Sequence, residues 1–251
     1  MSRPAQRRYA AGRRVQAGAI RPAGRRGTAR FESDRLRPMP RSRRPHPPAD
    51  VREACVEAAH AVIAEHGIEA LSLRDVARRL GVSHQAPYKH FPTRDHLLAE
   101  VIRRCFQRLA TALGDRPAYA DPADAMRGLG EAYLRFALAH PLEYRLMFGT
   151  PWPSVADHPD LLRDARLAFE VLRGALAQVA GPQAPAERID LDAMFVWSAV
   201  HGLATILQSN VMSHLVLHPS ARQALIPHVM RTIDAALEQR QAAAPRKPSG
   251  R

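Results

Sequence analysis

Cysteine is scarce, with only Cys55 and Cys105 in 251 residues. No CxxC or Cys/His spacing surrounds either one, which excludes a disulfide framework and a zinc-finger arrangement and fits two reduced, buried thiols. Aromatic residues make up only 6% of the chain. No uninterrupted apolar run approaches the ~18 residues of a membrane span. No apolar stretch follows the basic N-terminal region as it would in a secretory signal. Alternating strand patterns and internal repeats are absent from the sequence. So are nucleophilic triads, glycine-rich phosphate loops and paired catalytic carboxylates, and no catalysis, cofactor or metal is expected. His214 and His218 do have the i, i+4 spacing of helical metal ligands, but the run HLVLH lacks the accompanying glutamate and Pro219 follows at once.

Arginine, by contrast, is abundant and unevenly placed. The formal net charge is +13. Residues 1–49 hold 14 arginines against Glu32 and Asp34, a net of +12, while residues 50–251 hold 23 basic and 22 acidic side chains, a net of +1. The first segment has almost no apolar periodicity and cannot bury enough surface to fold, so disorder is expected there. Three readings of it are open: a basic arm that adds phosphate contacts, a leader of transit-peptide type, and a stretch upstream of a translation start at Met39. The remainder is nearly neutral, so any affinity for a polyanion must come from local placement of charge.

From residue 50 onward the apolar spacing is helical. Residues 50–66 read as a first helix, with Asp50 as cap, Val51, Ala54, Cys55, Ala58, Val62 and Ile63 on its inner face, and Gly67 as stop. The stretch LSLRDVARRLGVSHQAPYKHF, residues 71–91, reads as two short helices about a tight turn. Ser72 caps the first of these and Asp75 puts a carboxylate three residues on. Gly81 is the turn, and Ser83 caps a second helix that ends at Phe91-Pro92. Pro87 within that helix removes one backbone bond, so the helix should be short or tight in its first turn. Its exposed set is Ser83, His84, Gln85, Tyr88, Lys89 and His90, with no carboxylate, as a surface lying against phosphates requires. Two ordinary helices of an α-helical domain would give the same spacing. Thr93 then caps a long fourth helix over 93–113.

The ending PYKHF followed by PTRDHLL, with AAHAVIAEHGIEALSLRDVARRLGVS before it, closely resembles the DNA-binding domain of TetR/AcrR transcriptional regulators, over about residues 50–100. The resemblance implies an all-α fold: a three-helix helix-turn-helix domain joined by a long helix to a C-terminal helical ligand-binding and dimerisation domain. In that motif Ser83, His84 and Gln85 lie where base edges are read, and Gln85 can pair bidentately with adenine. Tyr88 and Lys89 would hold phosphates, as the corresponding positions do in the family, and His90 lies beside them. Ser72, Arg74, Thr93 and Arg94 stand at helix N-termini, which favour anions, and are expected to contact the backbone of double-stranded DNA.

From residue 121 the pattern stays helical, with helices expected near 122–139, 141–148, 160–180, 187–213 and 220–240 and Pro/Gly breaks between them. Candidates for an apolar ligand pocket are Tyr133, Phe136, Phe148, Trp152, Phe169, Trp197 and His201, although any one of them could simply be core. WSAVHGLATIL, residues 197–207, resembles the Trp-His-Gly signature of one TetR-family subgroup. The domains expected are a basic extension (1–49), a DNA-binding domain with its linker helix (50–114), a regulatory domain (115–241) and a disordered tail (242–251). The function implied is a homodimeric repressor, paired through its last two long helices and released from a palindromic operator by a small apolar molecule. It would be cytoplasmic, nucleoid-associated when bound to DNA, and without membrane contact. The alternatives are a DNA-binding regulator with no ligand and a metal-dependent helical enzyme.

Overall fold

Helices carry the whole of the regular structure among the described residues, which are 50–242 of the computed structural model. The basic extension 1–49 and the tail past residue 242 lie outside them. The described residues fall within a single compact unit.

The first helix, α1 (Val51–His66), starts where the Asp50 side chain accepts a hydrogen bond from the Glu53 amide at 3.1 Å. It buries Cys55, Val56, Ala58, Ala59, Val62 and Ile63. α2 (Leu73–Leu80) begins with the capping arrangement read from the sequence. The Asp75 amide donates to Ser72 Oγ at 3.1 Å, and the Ser72 hydroxyl donates to the Asp75 carboxylate at 2.6 Å. It ends at Gly81, whose φ of 66° lies in the left-handed region that a side chain would strain. Thr93 caps α3 (Arg94–Gly114), accepting from the His96 amide. At 1.5 Å per residue this helix is about 30 Å long. Its stripe of Leu97, Val101, Ile102, Cys105, Phe106 and Leu109 is buried from end to end. Both cysteines are free and buried, and desolvation pushes the Cys105 thiol up to about 12.

Beyond the break at residues 115–121 come α4 (Pro122–Ala139), α5 (Pro141–Phe148), α6 (Pro159–Ala180), α7 (Ala186–Gln208), the single turn α8 (Val211–His214) and α9 (Pro219–Ala242). α3 packs against α1 on one side and α4, α5 and α6 on the other, so one helix belongs to both halves of the core. α7 packs on α4, α6 and α9. Asp192, buried on α7, is held by Arg240 of α9. α7 is the one described helix long and apolar enough, by length and composition, to cross a membrane. Its packing against α4, α6 and α9 covers one face, and Leu191, Met194 and Ile206 leave a second apolar face exposed.

Two expectations need correction. The helix expected over 187–213 is interrupted: Ser209 is extended, and its hydroxyl donates to the Ile206 carbonyl at 2.7 Å, so α7 stops at Gln208. Serine competes with the helix in this way because its side chain satisfies a backbone carbonyl locally. The second helix of the helix-turn-helix is tighter still. Residues 84–86 form a turn, and Pro87–Lys89 is a single 3-10 turn. Ala86, Lys89 and His90 all donate to carbonyls three residues back. Pro87 has no N–H to close an i−4 bond with Ser83, and its ring is buried.

Candidate DNA-binding face and ligand cavity

The short turn after Gly81 presents its polar side chains outward. Ser83, His84, Gln85, Tyr88, Lys89 and His90 are all exposed, while Pro87 and Phe91 anchor the segment in the core. Tyr88 is 47% exposed, high for a tyrosine of an ordered segment. Arg74 comes across from α2, and with His84, Gln85 and Tyr88 it encloses one shallow concavity. No acid lies between Gly81 and Arg94. The nearest acid on α2, Asp75, is already committed to Ser72 and to Arg78 at 2.8 Å.

The candidates at the helix starts divide. Ser72 and Thr93 use their hydroxyls as caps, which leaves mainly N-terminal backbone amides to face an anion. Arg94 departs from the expectation. Its guanidinium turns inward and donates to the carbonyls of Ile68, at 2.7 Å, and Leu71, at 3.1 Å. It braces the loop before α2, a contact that sequence spacing cannot reveal because its partners are backbone oxygens 23 and 26 residues away.

At the other end of α3 lies a cavity of about 270 Å³. Five of the seven pocket candidates line it: Tyr133, Phe148, Trp152, Phe169 and Trp197. Phe136 does not; it faces a separate groove, with its ring 4.8 Å from that of His140. His201 stands behind the wall, its Nδ1 lying 2.9 Å from the Tyr133 hydroxyl and 2.8 Å from the Tyr144 hydroxyl. The Tyr144 hydroxyl also reaches the His201 carbonyl at 3.0 Å. Burial lowers the His201 pKa, favouring the neutral ring, and pushes the Tyr133 phenol far above its usual range. The Trp152 indole donates to the Met147 carbonyl at 2.9 Å, which holds this loop residue against the bundle. The sequence reading missed Phe106, Leu109 and Leu113, which carry α3 itself into the cavity wall. Their regular helical spacing marks them as core and carries no signal for a cavity.

Between the two sites runs a polar seam. Glu100 on α3 is paired with Arg103 at 2.7 Å, Arg104 at 3.2 Å and Arg52 of α1 at 3.2 Å. Arg103 continues to Asp164 of α6 at 3.1 Å, and Gln107 joins the same carboxylate at 2.8 Å. Ala165 and Ala168, one and four residues further along α6, line the cavity. Burial pushes Glu100 up, but Arg103 and Arg52 outweigh it and hold the carboxyl at about 2. A second junction joins Arg108 to Glu143 of α5 at 2.8 Å, with His60 of α1 at 3.4 Å.

A helix-turn-helix head joined by one long helix to an all-helical bundle with an apolar cavity defines a class of two-part DNA-binding regulators. Residues 56–101 match the family model described as bacterial regulatory proteins, tetR family, and residues 126–233 match the tetracyclin repressor-like C-terminal domain. The chain belongs to the TetR family of bacterial regulatory proteins. It is 31% identical over 121 residues to the HTH-type transcriptional regulator Rv1816 of Mycobacterium tuberculosis, a match covering 47% of this chain and 50% of that protein. It is 36% identical over 86 residues to the HTH-type transcriptional repressor Rv3405c of the same organism, covering 34% of this chain and 43% of the other. The chain thus spans about half the length of these curated relatives. A solved protein of unknown function from Rhodococcus sp. RHA1 superposes with a TM-score of 0.58 at 26% identity, over 79% of this chain and 97% of that one.

Proposed function

We propose that this chain is a homodimeric transcriptional repressor that holds a palindromic operator through residues 83–90 and releases it when a small apolar molecule enters the cavity. The observation that carries the reading is α3: its N-terminus adjoins the exposed polar turn, and its C-terminal half supplies the cavity wall through Phe106, Leu109 and Leu113. Residues 50–114 would form the reading head and 115–241 the regulatory part. Ser83, His84 and Gln85 would meet base edges, Tyr88, Lys89 and His90 the phosphates, and Arg74 the backbone beside them. Ser72 and Thr93 would contribute through the amides they cap. Arg94 would act by holding the head's shape.

Pairing would use the outer face of α7, where Leu191, Met194 and Ile206 are exposed, together with α9. Ala204, Ile233 and Leu237, also suited to pairing by composition, are already buried within the single chain. A two-fold dimer would present its heads to successive major grooves about 34 Å apart. Trp197, His201 and Gly202 fit the Trp-His-Gly subgroup, and a cytoplasmic protein, nucleoid-associated on DNA and without membrane contact, fits this role. Ligand binding can shift the head only by favouring one arrangement of the bundle over another. The path proposed runs from α6 through Asp164 and Arg103 to Glu100 and Arg52.

The test uses the duplex sequence that the full chain selects from a random pool. Gln85→Ala should cost ~1–3 kcal/mol at a single base position and relax specificity there. Lys89→Ala should weaken binding to all sequences and reduce the salt slope by about one. Unchanged affinity in both variants refutes the assignment.

A further inference from the structure

We infer that the cavity selects an uncharged aromatic molecule of about two rings, and rejects carboxylate or ammonium forms of the same skeleton; this rests on the reading of the cavity as the ligand site. Native interiors rarely leave voids larger than a water molecule, because unfilled walls forfeit dispersion contacts. A half-open apolar cavity of about 270 Å³ leaves its walls short of such contacts, which a guest of matching shape would restore. By comparison, an engineered apolar cavity of about 150 Å³ takes up benzene, which sets the size at about two rings.

The chemistry of the wall sets the class. Among the described residues, no aspartate, glutamate, lysine, arginine or histidine lines the cavity. The one ionisable side chain among the described lining residues is Tyr133, whose hydroxyl is engaged by His201 behind the wall and whose burial opposes ionisation. His201 is kept neutral by its own burial, so no cation is poised there to receive an acid. The Trp152 N–H is spent on a backbone carbonyl. A charged ligand would shed its water and find no counter-charge, which is costly. The rings favour aromatic guests. Phe106 and Trp152 meet nearly edge-on at 5.4 Å and 79°, and Phe169 and Trp197 at 5.8 Å and 60°. Faces and edges are thus turned in several directions, as tilted and T-shaped ring contacts require.

The chain holds two tryptophans, and both stand in this wall. Intrinsic fluorescence therefore reports occupancy of the cavity directly. The experiment titrates the full chain with naphthalene, 2-naphthoate and the 2-naphthylmethylammonium ion, following tryptophan emission, heat of binding and operator release on the same samples. Naphthalene should bind about a hundredfold or more tightly than either ion. Ala168→Phe, or Ala165→Leu should the first variant melt early, should fill the void and abolish naphthalene binding with the helical signal intact. Equal or tighter binding of either ion overturns the inference while leaving a ligand-released repressor standing. No response to any of the three compounds overturns it as well. Naphthalene binding without operator release upholds the inference and removes the proposed release mechanism.

Discussion

The reading face and the cavity differ in how far apart their parts lie along the chain. The face is assembled within residues 72–94 by local devices: a Ser72–Asp75 cap, the left-handed Gly81, a buried Pro87 and a Thr93 cap. The cavity draws on α3, α4, α5, α6, α7 and the loop residue Trp152, from Phe106 to Val200. The first is polar and exposed, and its side chains make few contacts with the protein. The second is apolar, and each wall residue owes its place to neighbours far away in sequence. Loss of the exposed side chains at 83–90 should therefore spare stability, loss of a cap should cost little, and damage to the shared helix should cost most.

The largest effect separating them should come from α3. Ile102 is fully buried on the helix common to both halves. Ile102→Ala should cost about 2–5 kcal/mol in a urea or thermal unfolding measurement, by lost burial plus the cavity left behind. A cost below 1 kcal/mol would mean that α3 is not the common core element.

A second effect concerns the seam. Glu100 has a folded pKa of about 2, below its ordinary 4.5. The unfolded chain therefore binds more protons between those values, and this contribution to stability is present above about 4.5 and lost as pH falls toward 2. Replacing Glu100 with Gln should flatten the stability profile in that window. A profile parallel to wild type would place the acid sensitivity elsewhere.

The smallest effect belongs to the head. Ser72→Ala removes one cap and should cost ~1 kcal/mol, with no change in the cavity's tryptophan emission. An altered emission would show that head and cavity are coupled through more than α3.

The same difference explains how much could be read from sequence. Caps, turns and Pro/Gly breaks are local, so the helix starts at Asp50, Ser72 and Thr93 were legible; the cap expected at Ser83 is not formed, because the 3-10 turn Pro87–Lys89 is entered from Ala86 with no side-chain cap. The tight turn at 84–89 was legible only in part: Pro87 signalled a short element, but it is buried in a turn that packs on α1 and α2, which nothing local to it names. Periodicity marks a residue as inward-facing without saying whether it meets a neighbour or a void. Phe136 and His201 therefore looked like pocket residues, and Phe106 looked like ordinary core. Arg94 looked like a phosphate ligand because nothing local to it names the Ile68 and Leu71 carbonyls it reaches.

The proposed grip of residues 83–90 on DNA is open to direct test. A footprint on the DNA upstream of the chain's own coding sequence, with wild type and the Gln85→Ala/Lys89→Ala double variant side by side, tests it most directly. Wild type should protect a palindrome with half-sites about one helical turn (34 Å) or a multiple of it apart, and the double variant should fail to protect it. Identical protection by both proteins would contradict the proposed grip.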